Sequence, residues 1–237
     1  MQPVVEIVVR DGFGLWPIAE AEPFGVLPLS RHLSSAEVGT AMMAIAGWND
    51  ADADADADSD RPPRPDDPLG SFLYGLLTLD PLFASGGLGV TDRSTGVEFL
   101  PGCCDGLEDW RTWHRIIDHG STVWFGHEPV SPVAERFGHI VRLTVDAQQA
   151  DSPVIELSVT ELAGLIGDAE RDLTDFLALA ADWAAEHLPD HAGPVTAALA
   201  RLLGLPVPVV PSAPSTFSNP SVTPGSATGG AGSDRQA

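Results

Sequence analysis

The chain contains no lysine: 12 arginines stand against 34 acidic side chains in 237 residues, for a formal charge of −22. Without lysine there is no Schiff-base chemistry, no lysine general base and no phosphate-binding P-loop. The acid excess argues against nucleic acid as a partner, because phosphate binding needs basic side chains that displace counterions. Cysteine is nearly absent too. Cys103 and Cys104 are sequence neighbours, and a disulfide between adjacent residues is strained, so they make a poor staple. A reducing compartment suits that usage. No apolar run reaches the roughly 20 residues needed to cross a bilayer. The opening Met1-Gln2-Pro3-Val4-Val5-Glu6 lacks the basic region of a secretion signal. The expected location is cytoplasmic, with no membrane contact.

Two segments differ in composition from the rest. Residues 49–68 hold eight aspartates and two arginines, an Asp-Ala alternation followed by a proline cluster. Like charges two residues apart repel and bury nothing, so a disordered acidic insert is expected. A calcium loop is the alternative. Aspartates fill its first, third and fifth positions, but the central glycine is missing and Arg61 stands where the bidentate glutamate belongs. Residues 205–237, rich in Pro, Ser, Gly and Thr, are expected to form a disordered tail. Pro206-Val207-Pro208 and Pro211 suit polyproline II, without the charged flank that recognition grooves often read. The remaining residues, 1–48 and 69–204, are enough for a single globular core. Without the insert the chain still carries 26 acids and 10 arginines.

Patterning gives a coarse outline of the elements. Residues 4–10 read as a strand, and residues 15–33 as irregular because Pro17, Pro23 and Pro28 interrupt them. Ser34 and Glu37 have capping-box spacing ahead of the stripe Val38, Met42, Ile45 and Ala46, a helix expected to end near Gly47. Residues 69–85 fit a helix or a strand. Strands follow at 88–92 and 96–100, joined by a tight turn. A helix comes next, opened by Asp105 with Glu108 and closed by Gly120, with Leu107, Trp110, Trp113 or His114, and Ile117 inward. Three more strands are expected at 122–125, 140–145 and 154–157. The rest is helical: a third capping box at Ser158 and Glu161, a break or bend at Gly167, and a last amphipathic stretch over 195–203. Strands first and helices last predict an α+β fold, a mainly antiparallel sheet with C-terminal helices packed against it.

Chemistry-bearing residues concentrate in 103–139: Cys103, Cys104, Asp105, His114, Asp118, His119, His127, Glu128 and His139. Two thiols and two imidazoles suit zinc in kind, but not in spacing. Zinc sites separate paired cysteines by two to four residues, and His114 and His119, five apart, fall on different helix faces. Cys104 lies just ahead of a helix N-terminus, which lowers a thiol pKa, while Asp105, Glu108 and Asp109 oppose a thiolate there. Trp110, Trp113, Trp124 and Phe125, near Arg111 and Arg115, suit either a pocket for an acidic or aromatic ligand or the buried stripe of a helix. Gly86-Gly87-Leu88-Gly89 precedes a strand, whereas a phosphate cradle opens a helix.

The acidity is the remaining clue. An acidic face meets a basic partner and speeds the encounter, as in inhibitors of nucleases; it also serves solubility alone. The leading expectation is a non-catalytic interaction module, of immunity, inhibitor or regulatory type, that binds a basic protein through Glu161, Asp168, Glu170, Asp172, Asp175 and Asp182. The alternative is an enzyme or metal-binding protein that uses Cys103, Cys104, His114, His119 and His127. No cofactor is expected, and the sequence leaves the oligomeric state open.

Overall fold

The computed structural model describes residues 1–8, 10, 12–22, 24–53, 61–102, 105–126 and 130–208, with backbone only for 51–53. Within these residues the chain forms two four-stranded antiparallel sheets and five α-helices. The α+β expectation holds, with one sheet resolved into two.

The first sheet has the order β2-β1-β3-β4, built from β1 (Gln2–Glu6), β2 (Val26–Pro28), β3 (Gly86–Thr91) and β4 (Glu98–Phe99). Strand β1 is central, and its Pro3, Val4 and Val5 are all buried, as suits a strand covered on both faces. It covers 2–6 rather than 4–10. Strand β2 lies in the stretch expected to be irregular and pairs Leu27 with Val5. Its three residues at the sheet edge form no pattern long enough to read as a strand. Strand β3 opens with Gly86 and Gly87, at φ of 147° and 145°. A Cβ on Gly86 would collide with the Val4 carbonyl oxygen, so glycine is what allows β3 to lie close against β1. The β3–β4 hairpin pairs Val90 with Phe99.

The second sheet is a meander in the order β5-β6-β7-β8: β5 (Val123–Trp124), β6 (Val133–Phe137), β7 (Ile140–Thr144) and β8 (Val154–Ser158). Strand β6 has no counterpart in the sequence reading. Its inward side offers small Ala134, and Arg136 turns aside to donate to the Ile117 carbonyl, so the expected alternation is faint. Gly138, at φ 67°, makes the tight turn into β7. The side of this sheet bearing Val123, Ala134, Val141, Leu143 and Ile155 is buried. Helices α3 (Trp113–His119) and α4 (Val159–His187) contact its strands. The other side leaves Trp124, Phe137 and Val154 exposed.

Helix α1 (Ser35–Ala53) begins as expected. Glu37 Oε2 accepts from the Ser34 backbone N–H at 2.7 Å, and the Glu37 N–H donates to Ser34 Oγ at 3.3 Å. It does not stop at Gly47. Arg10 donates to the Gly47 carbonyl and pairs with Asp50 at 3.1 Å, and Arg64 pairs with Asp50 at 2.6 Å. These contacts carry the helix past a residue of poor propensity. Nor is the helix one-sided: Val38 to Ala46 is buried throughout. Trp16 Nε1–H donates to the Gly39 carbonyl at 2.8 Å, closing the side that a surface helix would expose.

The expected insert is therefore shorter than 49–68. Asn49 and Asp50 belong to α1, and residues 61–67 pack onto α2 (Pro68–Thr78). Arg64 stacks 4.9 Å from the Tyr74 ring centroid, and Tyr74 Oη–H donates to the Pro62 carbonyl at 2.7 Å. Asp67 caps α2 by accepting from the Gly70 N–H at 2.7 Å, with Pro68 at the first position. The Asp-Ala run at 54–60, the body of the proposed calcium loop, lies outside the described residues, as does the tail from 209 onward.

Helix α4 runs 29 residues without a break, started by the Ser158–Glu161 capping box. Where a break or bend was expected, the helix continues through Gly167, with buried Ile166 and Leu173 on either side holding it against the core. Helix α5 (Ala192–Leu203) closes on Gly204 at φ 61°. One cluster of buried apolar side chains draws on both sheets and all five helices.

Asn49, 1% exposed, bridges α1 to the loop after α2. Its amide donates to the Ile45 and Phe83 carbonyls at 2.8 and 2.7 Å and accepts from the Phe83 N–H at 3.1 Å. Asn49→Leu is expected to lower the unfolding free energy by about 1–3 kcal/mol, since it strands both polar groups of Phe83. Urea denaturation of the two proteins measures this, and an unchanged midpoint would remove the bridge from the account.

Candidate functional site

The stretch after β4 reaches the site by an unexpected local structure. Asp105 does not open a capping box. Residues Leu107–Thr112 form a 3₁₀ helix preceded by Gly106, and the Glu108 carboxylate accepts instead from the Ala84 N–H at 3.2 Å. The tertiary donor wins the carboxylate that a local cap would have used. A 3₁₀ helix has three residues per turn, so Leu107, Trp110 and Trp113 align inward, followed by Ile116 in α3. His114 consequently faces solvent, and Ile117 is only half-buried. Gly120, at φ 63°, ends α3 as expected.

These elements enclose a cleft of about 300 Å³. Its floor and walls come from Gly86 and Gly87 at the start of β3, Pro101, Trp110, Trp113 and Phe125, with Trp124 at the opening. Asp105, Asp109, Thr112 and Arg115 supply the polar lining. Trp113 and Phe125 stack with centroids 4.4 Å apart, and Phe99 meets both edge-on at 5.9 and 5.7 Å. Trp110 Nε1–H donates to the Leu203 carbonyl at 3.0 Å, and Arg111 lies over the Trp110 ring at 4.1 Å. The aromatic residues thus serve both uses the sequence allowed, packing the core and lining a pocket. Arg115 faces the cleft, whereas Arg111 is drawn away to Leu203 and Glu170. Among the described residues Arg115 has no ion-pair partner.

Cys103, Cys104 and His127 lie outside the described residues, with Glu128. Of the rest of the 103–139 set, Asp105 lines the cleft and the histidines do not. His114 sits against the outer edge of Trp110 at 6.3 Å, and His119 is exposed in the last turn of α3. His139 occupies the β6–β7 turn, where its carbonyl accepts from the Val159 N–H. Among the described residues no group of three or more His, Cys, Asp or Glu is arranged to hold a metal ion.

The six acids of α4 expected to meet a partner divide by location and by contact. Glu161, Asp168, Asp175 and Asp182 recur every seven residues and are all exposed, which places them along one side of the helix with about 20° of drift per step. Asp172 lies within the same stripe, half-buried, and Glu170 sits on another side, paired with Arg111 at 3.4 Å. Glu161 is occupied by the capping box, and hydrogen bonding with Ser158 holds its carboxyl below the usual range. Asp168 pairs with Arg171. Partial burial, then the neighbouring Asp175 and Asp168, push the Asp172 carboxyl up. Asp175 and Asp182 have neither hydrogen bond nor ion pair among the described residues. A second cleft, of about 570 Å³, separates the start of α4 from the first sheet, where Arg93 and the Met1 amino group face Asp168 and Asp172. Its residues are scattered over three distant stretches of chain, and no local pattern announces it.

Comparison with protein-family models, curated proteins and solved structures gives no match in any of the three.

Glu108 is half-buried, and desolvation raises its pKa above the ordinary 4.5. For an acid whose folded value is raised, the folded state holds the proton more tightly than the unfolded one. Its contribution is favourable at low pH and is lost as pH climbs through the raised value. Glu108→Gln keeps an acceptor for the Ala84 N–H and removes that dependence. The stability of the variant relative to the parent is expected to rise between about pH 4 and pH 7. Urea midpoints across that range measure the difference, and a constant gap would show that Glu108 is not destabilised by burial.

Proposed function

We propose that the chain is a non-catalytic interaction module, of inhibitor or regulatory type, that presents the exposed side of α4 to a basic protein partner in the cytoplasm. The observation that supports it most is the seven-residue recurrence of Glu161, Asp168, Asp175 and Asp182 on a 29-residue helix. At 1.5 Å per residue these carboxylates mark out about 31 Å along a rigid rod. Arg171 is the one arginine on α4 to balance them. A net charge of −22 adds a long-range field of the same sign, which steers a cationic partner and repels nucleic acid. No described helix is long and apolar enough to cross a membrane.

The second reading is a ligand-binding protein or enzyme centred on 103–139. One observation favours it: Asp105, Asp109, Thr112 and Arg115 share a single cleft beside Trp124. Against it, His114 and His119 point away from that cleft.

Asp175 and Asp182 give the cleaner test, since neither makes a hydrogen bond or ion pair among the described residues. Asp175→Arg/Asp182→Arg is expected to slow association with the partner about tenfold at low salt and to reduce its salt dependence, the behaviour of steering charges. Tagged protein retrieved from host lysate at low salt, followed by native mass spectrometry and binding kinetics, provides the measurement. A captured partner whose association ignores both ionic strength and the double substitution would overturn the proposal.

A further inference from the structure

The cleft beside Trp124 has a candidate occupant on the same chain. Helix α5 ends at Leu203, whose carbonyl is fixed by the indole of Trp110, itself a wall of the cleft. Leu205 is still buried, and by Val207 the chain is 55% exposed. It then continues as Pro208-Val209-Val210-Pro211-Ser212-Ala213-Pro214. We propose that this proline series docks back into the Trp113–Trp124 cleft of its own molecule as a polyproline II turn.

Three physical arguments converge on that occupant. Polyproline II has three residues per turn and no internal hydrogen bonds. Prolines at 208, 211 and 214 therefore share one edge, and the carbonyls are free to accept. Aromatic-lined grooves are the surfaces that read such an edge. Here Trp124, 57% exposed, offers its ring at the mouth over a base closed by buried Trp113 and Phe125, and Thr112 and Arg115 are placed to donate. A volume of about 300 Å³ suits one such turn and little more.

Reach and charge favour this molecule's own tail over other sources. Residues 205–211 extend about 20 Å at 3.1 Å each, twice the roughly 10 Å girth of a helix. The whole of 205–237 contains one acid and one arginine, Asp234 and Arg235, so it approaches Asp105 and Asp109 without repulsion. A second copy would bring a charge of −22 with it. Tethering also supplies an effective concentration of about millimolar, so a weak contact is enough to fill the cleft.

The test uses the full-length chain labelled with fluorotryptophan, with the Trp124 signal assigned through Trp124→Phe. Pro211→Asp/Pro214→Asp is expected to shift the Trp124 resonance while the signals of buried Trp16 and Trp183 stay in place, showing that the fold is intact. A synthetic peptide of residues 206–216, at about millimolar concentration, is expected to restore the Trp124 signal of the variant. A Trp124 signal identical in parent and variant would overturn the proposal. So would one that moves with protein concentration, which would place a second copy in the cleft, or a shift that the peptide fails to reverse. None of these readouts involves the acids of α4, so either proposal can fail without the other.

Discussion

Phe99, Trp113 and Phe125 hold two sheets that share no strand pairing. Phe99 belongs to the last strand of the first sheet, Phe125 follows the first strand of the second, and Trp113 opens the helix between them. The Gly102 N–H donates to the Phe125 carbonyl at 2.6 Å, so backbone as well as rings crosses the junction. Aromatic pairs in this geometry contribute about 0.5–1.5 kcal/mol each beyond the area they bury. The larger effect is positional. Because the 3₁₀ helix sets Trp110 and Trp113 on one line, the same turn reaches β3 on one side and the end of α5 on the other. The cleft beside Trp124, which Trp110 and Trp113 line, depends on that line being kept.

Charge is arranged around this framework unevenly. Arg10 and Arg64 converge on Asp50, Arg111 on Glu170 and Arg142 on Glu156. Most of these cations are spent in pairs that pin one element to another, and partly exposed pairs of this kind stabilise by about 1 kcal/mol or less. Their value is in fixing geometry, since they join segments far apart in sequence. With four of the 12 arginines in such joints and Arg171 the one arginine on α4, the exposed side of α4 is left negative.

How much of this was legible in the sequence depended on whether local chemistry met a tertiary competitor. The Ser34–Glu37 and Ser158–Glu161 boxes formed because nothing else claimed those glutamates. The same spacing at Asp105 and Glu108 failed because the Ala84 N–H, 24 residues away, took the carboxylate. Strands β7 and β8 alternate cleanly and were readable. Strand β6, with Ala134 as its inward residue, was not. Helix α1 has apolar residues on all sides of its middle, and a search for one stripe saw only part of it. Gly47 and Gly167 looked like breaks, yet in both places packing on either side exceeds the roughly 1 kcal/mol that glycine costs a helix. At the candidate cleft, the aromatic and charged residues of 105–125 were visible. The contribution of Gly86, Gly87 and Pro101 was not, since it arises only when β3 is laid beside the 3₁₀ helix.

The length of α4 has one more consequence. Its exposed carboxylates recur along one side of the helix, whereas the outer side of the second sheet carries Glu135, Arg142 and Glu156 and so mixes both signs. Negative charge is thus concentrated along one helix rather than spread evenly, which contributes a dipole moment beside the net charge. In an external field such a dipole feels a torque in addition to the force on the net charge.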